Sequence, residues 1–199
     1  TLTTVSTGYL HIHTNPLLTS VGALALGTLA TVGGSVKITG TALPLLNIIL
    51  TSVNGYLHIE ANTALPSVDL SSVTSVSGNL QIQSNTILAS VDLSNLVSST
   101  NLYLGLNPLL VTCDVSSLTT LTGYLNINTN PLLTSVGAPA LGTLTTVSGY
   151  VKITGTALPL LNIVFTTVTG VLHIFTNTAL PSLDLSSVTS VTGAIEDRK

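Results

Sequence analysis

Charge is what this chain of 199 residues most conspicuously lacks: Lys and Arg number 4, Asp and Glu 7, and charged residues make up 6%, where about a quarter is usual. Four of those charges close the sequence, at Glu196-Asp197-Arg198-Lys199, so the body is nearly uncharged. A nucleic-acid partner needs a basic footprint to displace counterions, and that class is excluded. With a single cysteine, Cys113, no disulfide framework can form within the chain. Long apolar runs are missing too. Mean hydropathy is +0.67, yet no run reaches the roughly 18–20 residues of a spanning helix. The most apolar window, 42–50, is broken by Pro44 and Asn47. No Asn-X-Ser/Thr sequon occurs, so N-glycans are not expected. There is no Met, which reads as a processed or excerpted product without a visible signal peptide.

What is present is repetition. The phrase Gly8-Tyr9-Leu10-His11-Ile12-His13-Thr14-Asn15 returns from Gly55, Gly78, Gly123 and Gly170, with looser copies at Gly34, Asn101 and Gly149. Its apolar anchors fall at 10, 36, 57, 80, 102, 125, 151 and 172, in steps of 26, 21, 23, 22, 23, 26 and 21. A second period of 115 residues overlies the first: 7–78 matches 122–193 without a gap, unequal steps included. Five short repeats have been duplicated in tandem. Repeats with a period of this size signal a solenoid.

Each repeat holds three extended segments, as in Tyr56–Glu60, Leu65–Leu70 and Val73–Gly78, rich in Val, Ile, Leu and Thr and bounded by Gly, Pro, Asn and Ser. One repeat cannot bury its apolar side alone, so coils must stack, each strand pairing in parallel with its equivalents above and below. The expectation is an all-β fold, a single parallel β-solenoid over 1–199 with three short strands per ~23-residue coil and roughly nine coils, spaced about 4.8 Å apart. Asn15, Asn62, Asn85, Asn107, Asn130 and Asn177 would stack as a structural ladder at one corner. Cys113 fills the slot of Val68, Val91 and Val136 and reads as a buried small hydrophobe. Asp69, Asp92 and Asp114 share a corner and read as turn caps.

The pattern Gly-x-Leu-x-Ile-x-x-Asn-x-x-Leu-x-Ser-Val-Asp-Leu-Ser-x-Val-Thr-Ser-Val resembles the receptor L-domain repeat. That repeat builds leucine-rich-repeat-like β-helices in growth-factor-receptor ectodomains and in fungal cell-wall surface proteins, the latter closer in Ser/Thr texture. The resemblance spans essentially the whole chain. It implies a right-handed solenoid and an extracellular or cell-surface setting, and it carries no catalytic residues.

Two faces point outward. The main strand would expose every tyrosine and histidine on one sheet, and Tyr9, His11, Tyr56, His58, Tyr103, Tyr124, Asn126, Tyr150 and His173 are the candidate contacts for a glycan or partner surface. A second face carries hydroxyl pairs around an inward Val or Leu; Thr120, Thr122, Thr146, Thr167 and Thr169 resemble the Thr columns of ice-binding solenoids. No phosphate-cradling loop, metal-spaced His/Cys set or oriented base is visible, so neither enzyme nor cofactor is expected. Thr1 opens inside a coil without a polar cap, which predicts end-to-end self-association of a structural or adhesive extracellular module.

Overall fold

The computed structural model describes residues 3–20, 29–46, 48–138 and 141–198, with side chains as far as Glu196. Thr1, Asn47 and Lys199, invoked above, lie outside the described residues. The chain winds into a right-handed parallel β-solenoid. Its main side is a ladder of nine strands: Leu10–Asn15, Val36–Thr41, Leu57–Glu60, Ser75–Gln83, Ser98–Gly105, Leu125–Asn130, Val151–Thr156, Leu172–Phe175 and Ile195–Arg198. They delimit eight complete turns, a rod on the order of 40 Å. A second side stacks two-residue strands, Thr4–Val5, Thr31–Val32, Ser52–Val53, Thr120–Leu121, Thr146–Val147, Thr167–Val168 and Ser190–Val191. Between them run the first residues of Ser75–Gln83 and Ser98–Gly105.

Alternation explains the register. In the main ladder Leu10, Val36, Leu57, Leu80, Leu102, Leu125, Val151 and Leu172 fall into one column. Two residues on, Ile12, Ile38, Ile59, Ile82, Leu104, Ile127, Ile153 and Ile174 form another. A slip of one residue would turn both columns to solvent, so burial fixes the pairing. From Leu29 to Ile174 these positions are buried in one continuous core with the inward residues of the other two sides.

Among the described residues, the third side forms strands in the middle, at Ser67–Asp69, Ser90–Asp92 and Thr112–Asp114. Beyond these, isolated bridges join Thr112 to Ser135 and Asn162 to Asp184. Coil length is the reason. The three central coils step by 23, 22 and 23 residues, whereas their neighbours step by 21 and 26.

Two corner devices let coils stack at strand spacing. At the first, Gly149 lies over Gly123, where an added Cβ would sit 2.8 Å from the carbonyl below. At the second, the residue before each ladder position takes positive φ, including Thr14, Ala61, Ser84, Leu106, Thr129 and Thr176 at 54–57°. The left-handed turn there is strained for non-glycine residues, and the Asn that follows holds it. Asn62, Asn85, Asn107 and Asn130 are fully buried. Each of the first three accepts at Oδ1 from, or donates through Nδ2 to, its ladder neighbours at 3.0–3.4 Å. The Nδ2 groups also donate to main-chain carbonyls of Ile38, Ile59, Ile82 and Leu104. Thr41 and Thr156 replace Asn in the shortest coils, their hydroxyls donating to Asn62 and Asn177 at 2.7 Å. Asn15 is exposed, and its side-chain amide donates to the His13 carbonyl within its own strand.

Candidate functional site: two outward faces

The main sheet brings the predicted aromatic and histidine residues together, but it turns their rings toward each other. Tyr9 stacks on His11 with centroids 4.3 Å apart, and Tyr56 on His58 at 4.3 Å. His11 bridges to Tyr56 at 5.9 Å, with the Tyr56 hydroxyl 3.0 Å from His11 Nε2. Tyr124 and Tyr150 lie nearly coplanar-stacked, 4.7 Å apart at 8°. Neighbouring side chains on a sheet surface meet in this way and stabilise it. The stacking occupies ring faces that a sugar would otherwise use, leaving edges and hydroxyls for hydrogen bonds. Only Tyr9, 68% exposed, is largely open. Tyr103 folds over Gly105, where a Cβ would lie 2.8 Å from its ring.

Asn126 is 9% exposed. Its Oδ1 accepts from Asn128 Nδ2 at 2.8 Å and its Nδ2 donates to the Tyr150 hydroxyl at 3.4 Å, so it supports the face from beneath. His173 faces Glu196 at 3.7 Å and Phe175 at 5.9 Å. Burial raises the Tyr124 phenol, with Tyr150 and Tyr103 adding to it.

A polar network that the repeat pattern did not reveal surrounds His58. Lys37 Nζ lies 3.4 Å from Glu60 Oε1, while Glu60 Oε2 accepts from Gln81 at 3.1 Å and Gln83 at 3.0 Å. His58 Nε2 is buried and has no partner among the described residues. Its imidazole is held below the ordinary range, first by burial and then by Lys37 and His11, against the opposing pull of Glu60.

The second side is uncharged and hydroxyl-rich. Thr4, Thr31, Ser52, Ser75, Ser98, Thr120 and Thr146 occupy successive rungs of one column, and Thr167 pairs with Ser190 farther along. At the adjoining corner, Thr51, Thr74, Thr119, Thr145 and Thr189 donate their hydroxyls to carbonyls of the preceding coil at 3.0–3.2 Å. Those hydroxyls complete the backbone. By contrast, Thr122, Thr146, Thr167 and Thr169 are exposed, and no protein group accepts from their hydroxyls among the described residues. Thr120 is half-buried beside Thr119. A bulge interrupts this side at Ser99–Asn101, where the usual Gly is skipped and Asn101 pairs with Asn79. Ser99 points inward, in the slot of Val76 and Leu121, its hydroxyl 3.1 Å from the Gly78 carbonyl and 3.0 Å from that of Asn101.

At the third side, Asp69, Asp92, Asp114 and Asp184 each accept at Oδ1 from the N–H two residues on, at 2.8–3.0 Å. These are turn caps. The Ser71 hydroxyl and N–H hold the Asp69 carboxyl below its usual range. No group of three or more potential metal-ligating side chains is present among the described residues. No helix is long and apolar enough to cross a membrane there.

Fold and faces together define a class: a parallel β-solenoid with an aromatic and polar main sheet and an uncharged, hydroxyl-rich second side. Compared with protein-family models, curated proteins and solved structures, the chain has no match.

Proposed function

We propose that the chain is a structural or adhesive repeat module of an extracellular surface fibre or wall protein, stacking end to end. The observation that carries this reading is the junction between the two five-coil blocks. There the strand Ser98–Gly105 pairs in parallel with Leu125–Asn130, Leu102 on Leu125 and Leu104 on Ile127. The Asn ladder crosses the same junction, the Asn107 N–H and Nδ2 both donating to Asn130 Oδ1. One block thus docks on the next through ordinary coil-to-coil stacking, a geometry any further block can repeat.

Head-to-tail addition of identical units through this same stacking propagates a filament. An extracellular setting follows from the receptor L-domain-like repeat pattern, and an adhesive role would use the exposed sheets.

The test is sedimentation and negative-stain electron microscopy across concentration. Rods lengthening with concentration, in increments of the whole unit, are the expected result. A strict monomer at high concentration would sink end-to-end assembly of this chain. Adhesion to glycans through the main sheet predicts binding that Tyr56→Ala or Tyr124→Ala abolishes.

A further inference from the structure

The duplication supplies an internal comparison that goes beyond the structural reading. Between 7–78 and 122–193 the two copies differ at 15 of 72 positions. Differences are sparse in the core and corners but dense on the outward faces. On the second side, nine positions per block form the two hydroxyl columns and their corner column, and five of the nine differ. All five run in one direction. Ala30 is answered by Thr145, Gly33 by Ser148, Ser52 by Thr167, Asn54 by Thr169, and Ser77 by Thr192. Every change places Ser or Thr in the second block or lengthens Ser to Thr. The result is an array in which all nine positions bear hydroxyls, whereas the first block keeps Ala, Gly and Asn among them.

The structure shows what distinguishes the second array physically. Thr146, Ser148, Thr167 and Thr169 are exposed, while their counterparts Thr31, Gly33 and Ser52 are half-buried and Asn54 is exposed. Among the described residues, the hydroxyls of Thr146, Ser148, Thr167, Thr169 and Ser190 donate to no protein acceptor, as is also true of Thr31, Ser52 and Ser75; Thr100 and Thr192 of the outer columns turn their hydroxyls to carbonyls, those of Ser77 and Thr169. Main-chain bonds carry the ladder through the array, as from Ser148 N–H to the Leu121 carbonyl. The rows are therefore held about 4.8 Å apart between coils and about 6.6 Å between alternate residues. Free hydroxyls, methyl groups between them, fixed rows and no charge are what a surface needs to hold first-shell water in a regular two-dimensional arrangement. Such water is already ordered in the free protein, so merging it into a crystal lattice costs little further entropy.

We propose that the Thr/Ser side of the second block, centred on Thr146, Thr167 and Thr169, is a binding plane for ordered water, whose ligand is the surface of an ice crystal. The first block's equivalent side is not. Higher β propensity alone would also favour Thr at exposed strand positions, so the test must separate stability from adsorption.

Ice-crystal shaping and thermal hysteresis would be measured for the full chain, for Thr167→Tyr, and for Ser52→Tyr at the equivalent rung of the first block. Far-UV circular dichroism and thermal unfolding report whether each folds, and Thr146→Tyr serves as the second variant if Thr167→Tyr does not. The expected result is shaping by the parent chain, its loss in the second-block variant, and its retention in Ser52→Tyr. No shaping by the parent, or equal loss in both variants, overturns the proposal. So does binding to microcrystalline cellulose or chitin that depends on Thr167 in a chain that leaves ice unshaped, which would assign the plane to a polysaccharide.

Discussion

At the scale of the residue, the asparagine ladder is where a single change should do most harm. Asn85 makes four hydrogen bonds: its Oδ1 accepts from the N–H and Nδ2 of Asn62, and its Nδ2 donates to the Ile59 carbonyl and Asn107 Oδ1. Asn85→Val leaves these groups buried and unpaired, at about 1–3 kcal/mol each before relaxation. Partial repacking and water entry reduce the total to about 3–5 kcal/mol. Asn15→Val, at an exposed position with one bond inside its own strand, is expected to be neutral within about 0.5 kcal/mol. Urea denaturation of the two variants checks the contrast. The ladder was legible in the sequence because its residue type and spacing recur together, and side chains of equal length at equal heights must meet. Asn126 was not. It sits in an outward column by alternation, and only the packing of Tyr150 and Asn128 around it reveals that it is covered.

At the scale of the element, the main sheet mixes a stabilising aromatic ladder with one proton-sensitive group. His58 is faced by Tyr56 on its own strand, by Lys37 and His11 from earlier coils and by Glu60, with Gln81 beside it on the next coil. Its folded-state pKa lies below the ordinary 6.5, burial being the largest cause. The unfolded chain therefore binds the proton more readily, and folding stability rises with pH through that window. Full stability should hold above about pH 6.5 and decline as pH falls through 6.5 toward the lowered value. His58→Gln, which copies the neighbouring Gln81, should flatten this limb of a melting-temperature profile between pH 7.5 and 5.5. An unchanged slope in His58→Gln would place the acid sensitivity elsewhere. Alternation in the sequence was enough to assign the strand and its two faces. It carried no information about ring stacking, which depends on rotamers, or about the bulge after Ser99, whose trace is a coil of 22 residues that lacks the usual Gly before Asn101. The third strand was predicted for every coil; among the described residues it forms where successive coils match in length.

At the scale of the molecule, every coil touches only its neighbours, so stability is a sum of coil terms and interfaces, and opening begins at the ends. Cys113 lies in the central coils, fully buried against Val91 and Ser135 rungs, with its thiol pushed up to about 12 by burial and by Asp114 and Asp92. Two barriers thus protect it: no reagent reaches it in the folded coil, and almost none of it is thiolate near neutral pH. Fraying of the end coils, where Val5 and Val191 are only partly covered, exposes neither the thiol nor its neighbours. Cys113 should therefore react with a thiol reagent only through openings that reach the middle of the rod. The predicted labelling rate at neutral pH, scaled by the rate of the unfolded chain, gives a free energy close to that of global unfolding. The same rate should fall further when the chain assembles end to end, because capping the outer coils suppresses openings that propagate inward from them. Labelling that is fast and independent of urea would mean that the centre opens locally, and that the duplicated blocks meet at a weak seam rather than a continuous core.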